Sequence, residues 1–101
     1  MAPYTSEAAR RLYRALLLLQ TEEECAAFLE DLCTIKEVQD MAQRLEAASL
    51  LKEGHNYQTI SGRIGISSAT ISRVSRCMRY GAGGYRTVLE RLEEEETNHG
   101  I

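Results

Sequence analysis

Gln58, Ser68, Ala69, Thr70, Ser72, Arg73 and Arg76 are the side chains of this 101-residue chain best suited to meeting a nucleic acid. Their chemistry is recognition without bond making. Hydroxyls of Ser68, Thr70 and Ser72 can exchange hydrogen bonds with base edges or phosphates, and the Ala69 and Thr70 methyls suit a thymine methyl. The guanidiniums of Arg73 and Arg76 suit a guanine or the backbone, and the division of labour between them is open at this level. Gln58 fits a phosphate or a peripheral base contact. No phosphate loop, nucleophile–base pair or paired carboxylates accompany these residues, so no enzyme is expected.

Side chains of this kind act together only if a frame points them one way. The stretch YQTISGRIGISSATISRVSR supplies one, predicting short helices over 57–64 and 68–78 joined by Gly65, Ile66 and Ser67. A helix-turn-helix needs apolar residues at set positions, a small residue where the helices cross and a turn residue that tolerates positive φ. Ile60, Ile64, Ile66, Ile71 and Val74 fill the apolar slots, Ser61 sits at the crossing and Gly65 in the turn. Ser67 or Ser68 can cap the second helix, whose free N–H groups favour a phosphate. Charge distribution agrees with this placement. Residues 43–86 carry seven Lys and Arg against two Glu, a local +5, whereas the rest of the chain carries five against thirteen, or −8. The formal net charge of −3 thus hides a basic segment. An isolated surface arginine usually does no more than solubilise; it is the clustering around one short helix that points to a polyanion.

The remaining chain reads as helical support, giving an all-α fold class. Pro3 is the only proline, and the glycines fall outside long runs rich in Ala, Leu, Glu, Arg and Gln. A first helix starts after Ser6 with Ala9, Leu12, Tyr13, Leu16 and Leu19 near one face. Thr21 with Glu24 and Thr34 with Glu37 form T-x-x-E capping boxes for a second helix and a third of roughly 20 residues that stops at Gly54. The glycine-containing loop RYGAGGY precedes a last helix over 85–96 carrying Val88, Leu89 and Leu92. One helical domain over 6–96 is expected, with the helix-turn-helix at 57–78 and flexible ends at 1–5 and 97–101. The apolar stripes of the first three helices are wider than a short helical pair can cover within one monomer, which makes a homodimer a natural solution; on pattern alone a compact monomeric bundle stays equally open.

Several classes are excluded. No apolar run approaches the length of a bilayer span, and ALLLL at 15–19 is flanked by Arg14 and Gln20. No membrane partner and no secretion signal are expected. Cys25, Cys33 and Cys77 are odd in number and form no C-x-x-C pair, and His55 and His99 are far apart, so neither disulfides, a metal site nor a cofactor is expected. Cys25 and Cys33 are expected to help pack the core. The reading places the protein in the cytoplasm, at the nucleoid.

The segment LCTIKEVQDMAQRLEAASLLKEGHNYQTISGRIGISSATISRVSRCMRYGAGGY resembles the YerC/YecD branch of the Trp repressor superfamily, the likeness running over about Glu23 to Leu92. DLCTIKE, AQRLEAA, ATISRVSRC and the following YG loop are its distinctive pieces. The resemblance implies a six-helix, intertwined homodimer and a bacterial transcriptional regulator. It also implies an effector pocket, because Arg44 and Arg73 match the two arginines that flank the corepressor's indole in Trp repressor. Val74 stands where that family has a small glycine, and Cys77 where it has a serine that helps hold the ligand's amino group. A β-branched side chain occupies the ring's volume, and a thiol is a weak hydrogen-bond partner. The expectation is that Val74 fills the pocket, so that DNA binding is independent of tryptophan and either needs no ligand or answers to an unidentified small-molecule effector.

Taken together, the sequence predicts a homodimeric regulator, repression being the expected sign, that places 68–78 of each copy in the major groove of double-stranded DNA. The alternative is a helical protein–protein interaction module that keeps the fold without specific DNA binding.

Overall fold

The computed structural model describes residues 3–99, and among them every regular element is helical. A 3-10 turn over Pro3–Thr5 precedes six α-helices: α1 (Glu7–Leu17), α2 (Glu22–Leu32), α3 (Ile35–Lys52), α4 (Tyr57–Ile64), α5 (Ser68–Tyr80) and α6 (Gly84–His99). The chain divides into two compact units, one through Val38 and one from Gln39.

Short polar side chains set most helix starts. Ser6 Oγ accepts the Ala9 N–H and opens α1, while Asn56 Oδ1 accepts the Thr59 N–H at 2.8 Å and opens α4. The Thr34–Glu37 box closes in both directions: Thr34 Oγ1 accepts the Glu37 N–H, and Glu37 Oε1 accepts the Thr34 N–H at 2.8 Å. At α2 the box is shifted by one residue. Thr21 Oγ1 accepts the Glu24 N–H, but Glu24 Oε1 reaches past Thr21 to the Gln20 N–H. Gly54, at φ +95°, ends α3 in a Schellman arrangement: its N–H bonds the Leu51 carbonyl and the His55 N–H bonds that of Leu50.

In the first unit the turn docks on α1 through the Tyr13 hydroxyl, which donates to the Tyr4 carbonyl oxygen at 2.9 Å. Neither α1 nor α2 has a fully buried side chain, and Leu17 and Leu18 are 83% and 77% exposed. Cys25 and Cys33 are accordingly half-buried thiols rather than members of a closed core, a departure from the sequence expectation. Their helices carry apolar stripes without an opposing layer inside this unit.

The core lies in the second unit, in two small groups. Ala47 of α3 meets Ile60 of α4 and Ile71 of α5, with Leu50, Leu51, Ile64 and Ile66 around them. Ala48 meets Val74 of α5 and Leu89 of α6, flanked by Leu45, Met78 and Tyr85. Two adjacent alanines let α3 approach α4 and α5 on one side and α5 and α6 on the other, which bulkier residues would prevent. Burying each of Ile60, Ile71 and Val74 contributes about 1.5–3 kcal/mol, so these few contacts hold the helix-turn-helix on its support.

Element ends differ from the sequence reading at four places. The first helix closes at Leu17 and leaves Leu18 as its cap, α5 runs to Tyr80 instead of 78, and α6 runs from Gly84 to His99 where 85–96 was expected. Of the expected loose ends, Pro3–Thr5 form the 3-10 turn and 97–99 belong to α6; residues 1, 2, 100 and 101 lie outside the described residues.

Candidate nucleic-acid interface

The turn between α4 and α5 is fixed by three local features. Gly65 takes the left-handed conformation, φ +81°, and caps α4 through a bond from its N–H to the Ser61 carbonyl. Ser61, the crossing residue, also donates its hydroxyl to the Ile66 carbonyl at 2.8 Å, a link across the turn that its small size alone does not announce. Ser67, not Ser68, is the cap of α5: its Oγ accepts the Thr70 N–H. All five apolar slots turn inward as their spacing requires, with Ile60, Ile71 and Val74 buried and Ile64 and Ile66 packed against them.

Burial along α5 then sorts its residues. Ser68, Ala69, Ser72, Arg73, Arg76 and Cys77 are exposed, while Ile71 and Val74 are sealed on the opposite side. Thr70 is different, being half-buried with Oγ1 3.0 Å from Ser67 Oγ, so the cap draws its hydroxyl back. Gln58 is exposed in the first turn of α4. The structure therefore places six of the seven sequence-selected residues on open surface of one helix-turn-helix and Thr70 at its border. Arg63 and Arg79, which the sequence counts within the basic segment without assigning them a contact, are exposed at the last turns of α4 and α5, and sequence reasoning passed over Tyr80, 82% exposed at the end of α5. Spacing along α5 was the available signal for Tyr80.

Electrostatically the surface is unneutralised. Among the described residues, Arg63, Arg73, Arg76 and Arg79 have no carboxylate within ion-pairing distance, whereas Lys52 pairs with Glu93 at 3.1 Å and His55 Nε2 lies 3.3 Å from Glu53. Guanidiniums left without internal partners are available to an external anion.

The expected effector residues are not presented alike. Val74 is 1% exposed and belongs to the core with Ala48 and Leu89; Arg44, on α3, is half-buried; Arg73 is open. Cys77 lines an apolar cleft of about 440 Å3 with Leu45, Gly81, Tyr85 and Val88, and neither arginine nor Val74 lines that cleft. Among the described residues no His, Cys, Asp and Glu cluster fits a metal ion, and no helix is long and apolar enough to cross a membrane.

Known proteins share this fold. The sequence profile of the Trp repressor protein family matches residues 7–93. Uncharacterized protein YerC of Bacillus subtilis (strain 168) is 49% identical over 87 residues, which cover 86% of this chain and 84% of that one. A TrpR-like protein from Eubacterium eligens ATCC 27750 superposes with a TM-score of 0.86 at 42% identity, covering 89% of this chain and 93% of its own. A putative Trp repressor from Staphylococcus aureus gives the same TM-score at 38% identity, covering 92% and 96%. The matched span takes in α1 to α5 and the first ten residues of α6, and with it the chain belongs to the Trp repressor family, whose members are regulators and not enzymes.

Proposed function

We propose that this protein is a sequence-specific DNA-binding transcriptional regulator, acting as a repressor and as a homodimer. One observation carries the reading: α5 seals Ile71 and Val74 inward and turns Ala69, Ser72, Arg73 and Arg76 to open surface, with its arginines free of internal carboxylates. A helix so presented enters a major groove with its first turns against base edges and its later cations near phosphates. The exposed leucines of α1 and α2 support the pairing of two copies. Two reading heads on a two-fold axis would meet half-sites about one helical turn, ~34 Å, apart. Work of this kind is done at the nucleoid in the cytoplasm.

Tryptophan is not the switch in this reading. Val74 stands where the resemblance puts a small residue beside the ligand, and its burial supports DNA binding without that ligand. Binding is then constitutive or answers to another small molecule.

Gel shifts on mixed-sequence duplex DNA at rising salt test the proposal. Binding should weaken steeply with salt, and the double variant Arg73→Ala, Arg76→Ala should lose it while its circular dichroism is unchanged. Indifference to both arginines would favour the interaction-module reading.

A further inference from the structure

Ala69, Arg73, Arg76 and Tyr80 follow one another at intervals of four, three and four residues on α5, which aligns them in a single row along the helix. The row lies opposite Ile71, Val74 and Met78, the side that meets the core, and all four members are exposed. Tyr80 shows 82% of its surface, and among the described residues its hydroxyl has no hydrogen-bond partner.

Position along the row decides what each side chain can reach. A helix rises about 1.5 Å per residue, and the major groove is about 8.5 Å deep. With α5 entering by its N-terminus, Arg73 stands only ~7.5 Å beyond Ser68, within that depth, whereas Arg76 stands ~12 Å and Tyr80 ~18 Å along, where the phosphates line the groove. Arg73 is also the one cation among residues 68–73, the part of α5 short enough to lie inside the groove.

We infer that Arg73 is the specificity-determining residue, selecting a guanine through its O6 and N7, and that Arg76 and Tyr80 hold the sugar–phosphate strand at the groove's edge. A planar guanidinium meets the two guanine acceptors with two parallel hydrogen bonds, a match no other base offers. Tyr80 donates its hydroxyl to a phosphate oxygen, and Arg76 on the same face offsets the negative end of the helix dipole there. The inference rests on the DNA-binding reading and adds to it an assignment of roles along the helix.

Selection from a random duplex library tests it, using the full-length protein and its Arg73→Ala, Arg73→Lys, Arg76→Ala and Tyr80→Phe variants, each checked for fold by circular dichroism. The wild type should enrich a half-site with a fixed guanine. Arg73→Ala should lose preference at that position alone, with affinity for the selected site falling about 5- to 150-fold. Replacing that guanine by 7-deazaguanine should weaken the wild type and leave Arg73→Ala unaffected, and Arg73→Lys should discriminate less than wild type. Arg76→Ala and Tyr80→Phe should keep every base preference and bind all sequences more weakly, about 5-fold for Tyr80→Phe, with the salt slope of Arg76→Ala lower by about 1. Retention of the same guanine by Arg73→Ala, or altered base preference in Arg76→Ala or Tyr80→Phe, overturns the assignment while leaving DNA binding in place. Failure of the wild type to bind any duplex removes the DNA-binding reading and this inference with it.

Discussion

The hydroxyl of Ser61 donates a 2.8 Å hydrogen bond to the carbonyl oxygen of Ile66, tying α4 directly to the residue that leads into α5. That bond satisfies a carbonyl in a turn too tight for backbone partners, and it couples the angle of the reading helix to the helix before it. Ser61→Ala keeps the small size the crossing needs and removes only the bond. It should cost about 1 kcal/mol, lowering Tm by roughly 4–8 °C in a domain of this length. A melting curve superposable on the wild type would mean that the hydroxyl does no structural work.

Two glycines should respond to alanine for opposite reasons. Gly65 has φ +81° and open space around the position of a Cβ, so its penalty is backbone strain alone, about 1–2 kcal/mol. Gly81 has an ordinary φ, but a Cβ there would collide with the carbonyl oxygen of Cys77 in the last turn of α5. The colliding atom is backbone and has little room to yield. Gly81→Ala should therefore be the more destabilising of the two in denaturant titrations, and Gly65→Asn should recover part of what Gly65→Ala loses, since asparagine tolerates the left-handed region.

Those two positions also mark what a sequence displays. Gly65 was legible because a turn between two short amphipathic stretches must reverse the chain, and glycine there has one dominant use. Gly81 sits in a glycine-containing loop where composition says "loop" and nothing more, and its close approach to Cys77 exists only once α5 has run on to Tyr80. The core of the second unit was legible from spacing as well: Ile60, Ile71 and Val74 fall on the inward faces of their short helices, although spacing did not reveal that Val74 packs on Ala48 and Leu89. Polar side chains were read less completely. Thr70 counted as outward-facing by spacing, but its cap partner Ser67 holds the hydroxyl at the border. Cys25 and Cys33 looked like core residues because their neighbours are apolar, yet what covers those stripes is not supplied by their own unit.

Val74 bears on ligand dependence. Its side chain is buried with Ala48 and Leu89, and on the proposed reading it stands where a small residue would leave room for an indole. Isothermal titration of L-tryptophan into the protein should show no saturable heat up to millimolar concentrations, and operator affinity should be unchanged by the amino acid. Val74→Gly empties that volume but also removes a buried side chain and adds a helix-interior glycine, which together should cost about 2.5–4 kcal/mol. Tight binding of tryptophan to the wild type would show that Val74 moves aside.

Glu37 introduces a pH dependence at the start of α3. Hydrogen bonds from the backbone and side chain of Thr34 hold its carboxyl below the ordinary glutamate range. A folded value lower than the unfolded one means that the ionised form stabilises the fold, fully so above the unfolded value of about 4.3 and progressively less as pH falls through the folded value. Glu37→Gln keeps an acceptor for the Thr34 N–H but cannot ionise. The difference in Tm between wild type and Glu37→Gln should be largest at neutral pH and shrink on acidification below about pH 4. A constant difference across that window would place the stabilisation in the hydrogen bond and not in the charge.

Leu17 and Leu18 decide the oligomeric state by the sign of a substitution. They close α1 with 83% and 77% of their surfaces exposed. In a monomer, lysine at such positions is close to neutral, within about 0.5 kcal/mol, and improves solubility. If a second copy covers them, each lysine brings a charge into an apolar contact and the pairing weakens by several kcal/mol. Sedimentation at micromolar concentration should give the wild type twice the 11.4 kDa chain mass, and the Leu17→Lys, Leu18→Lys variant should sediment toward the single-chain mass. The wild-type Tm should rise with protein concentration, because association is linked to folding by mass action, and that dependence should flatten in the variant. A wild type of single-chain mass whose Tm ignores concentration, together with a variant as stable as its parent, would rule out the paired reading heads and leave one helix-turn-helix to bind alone.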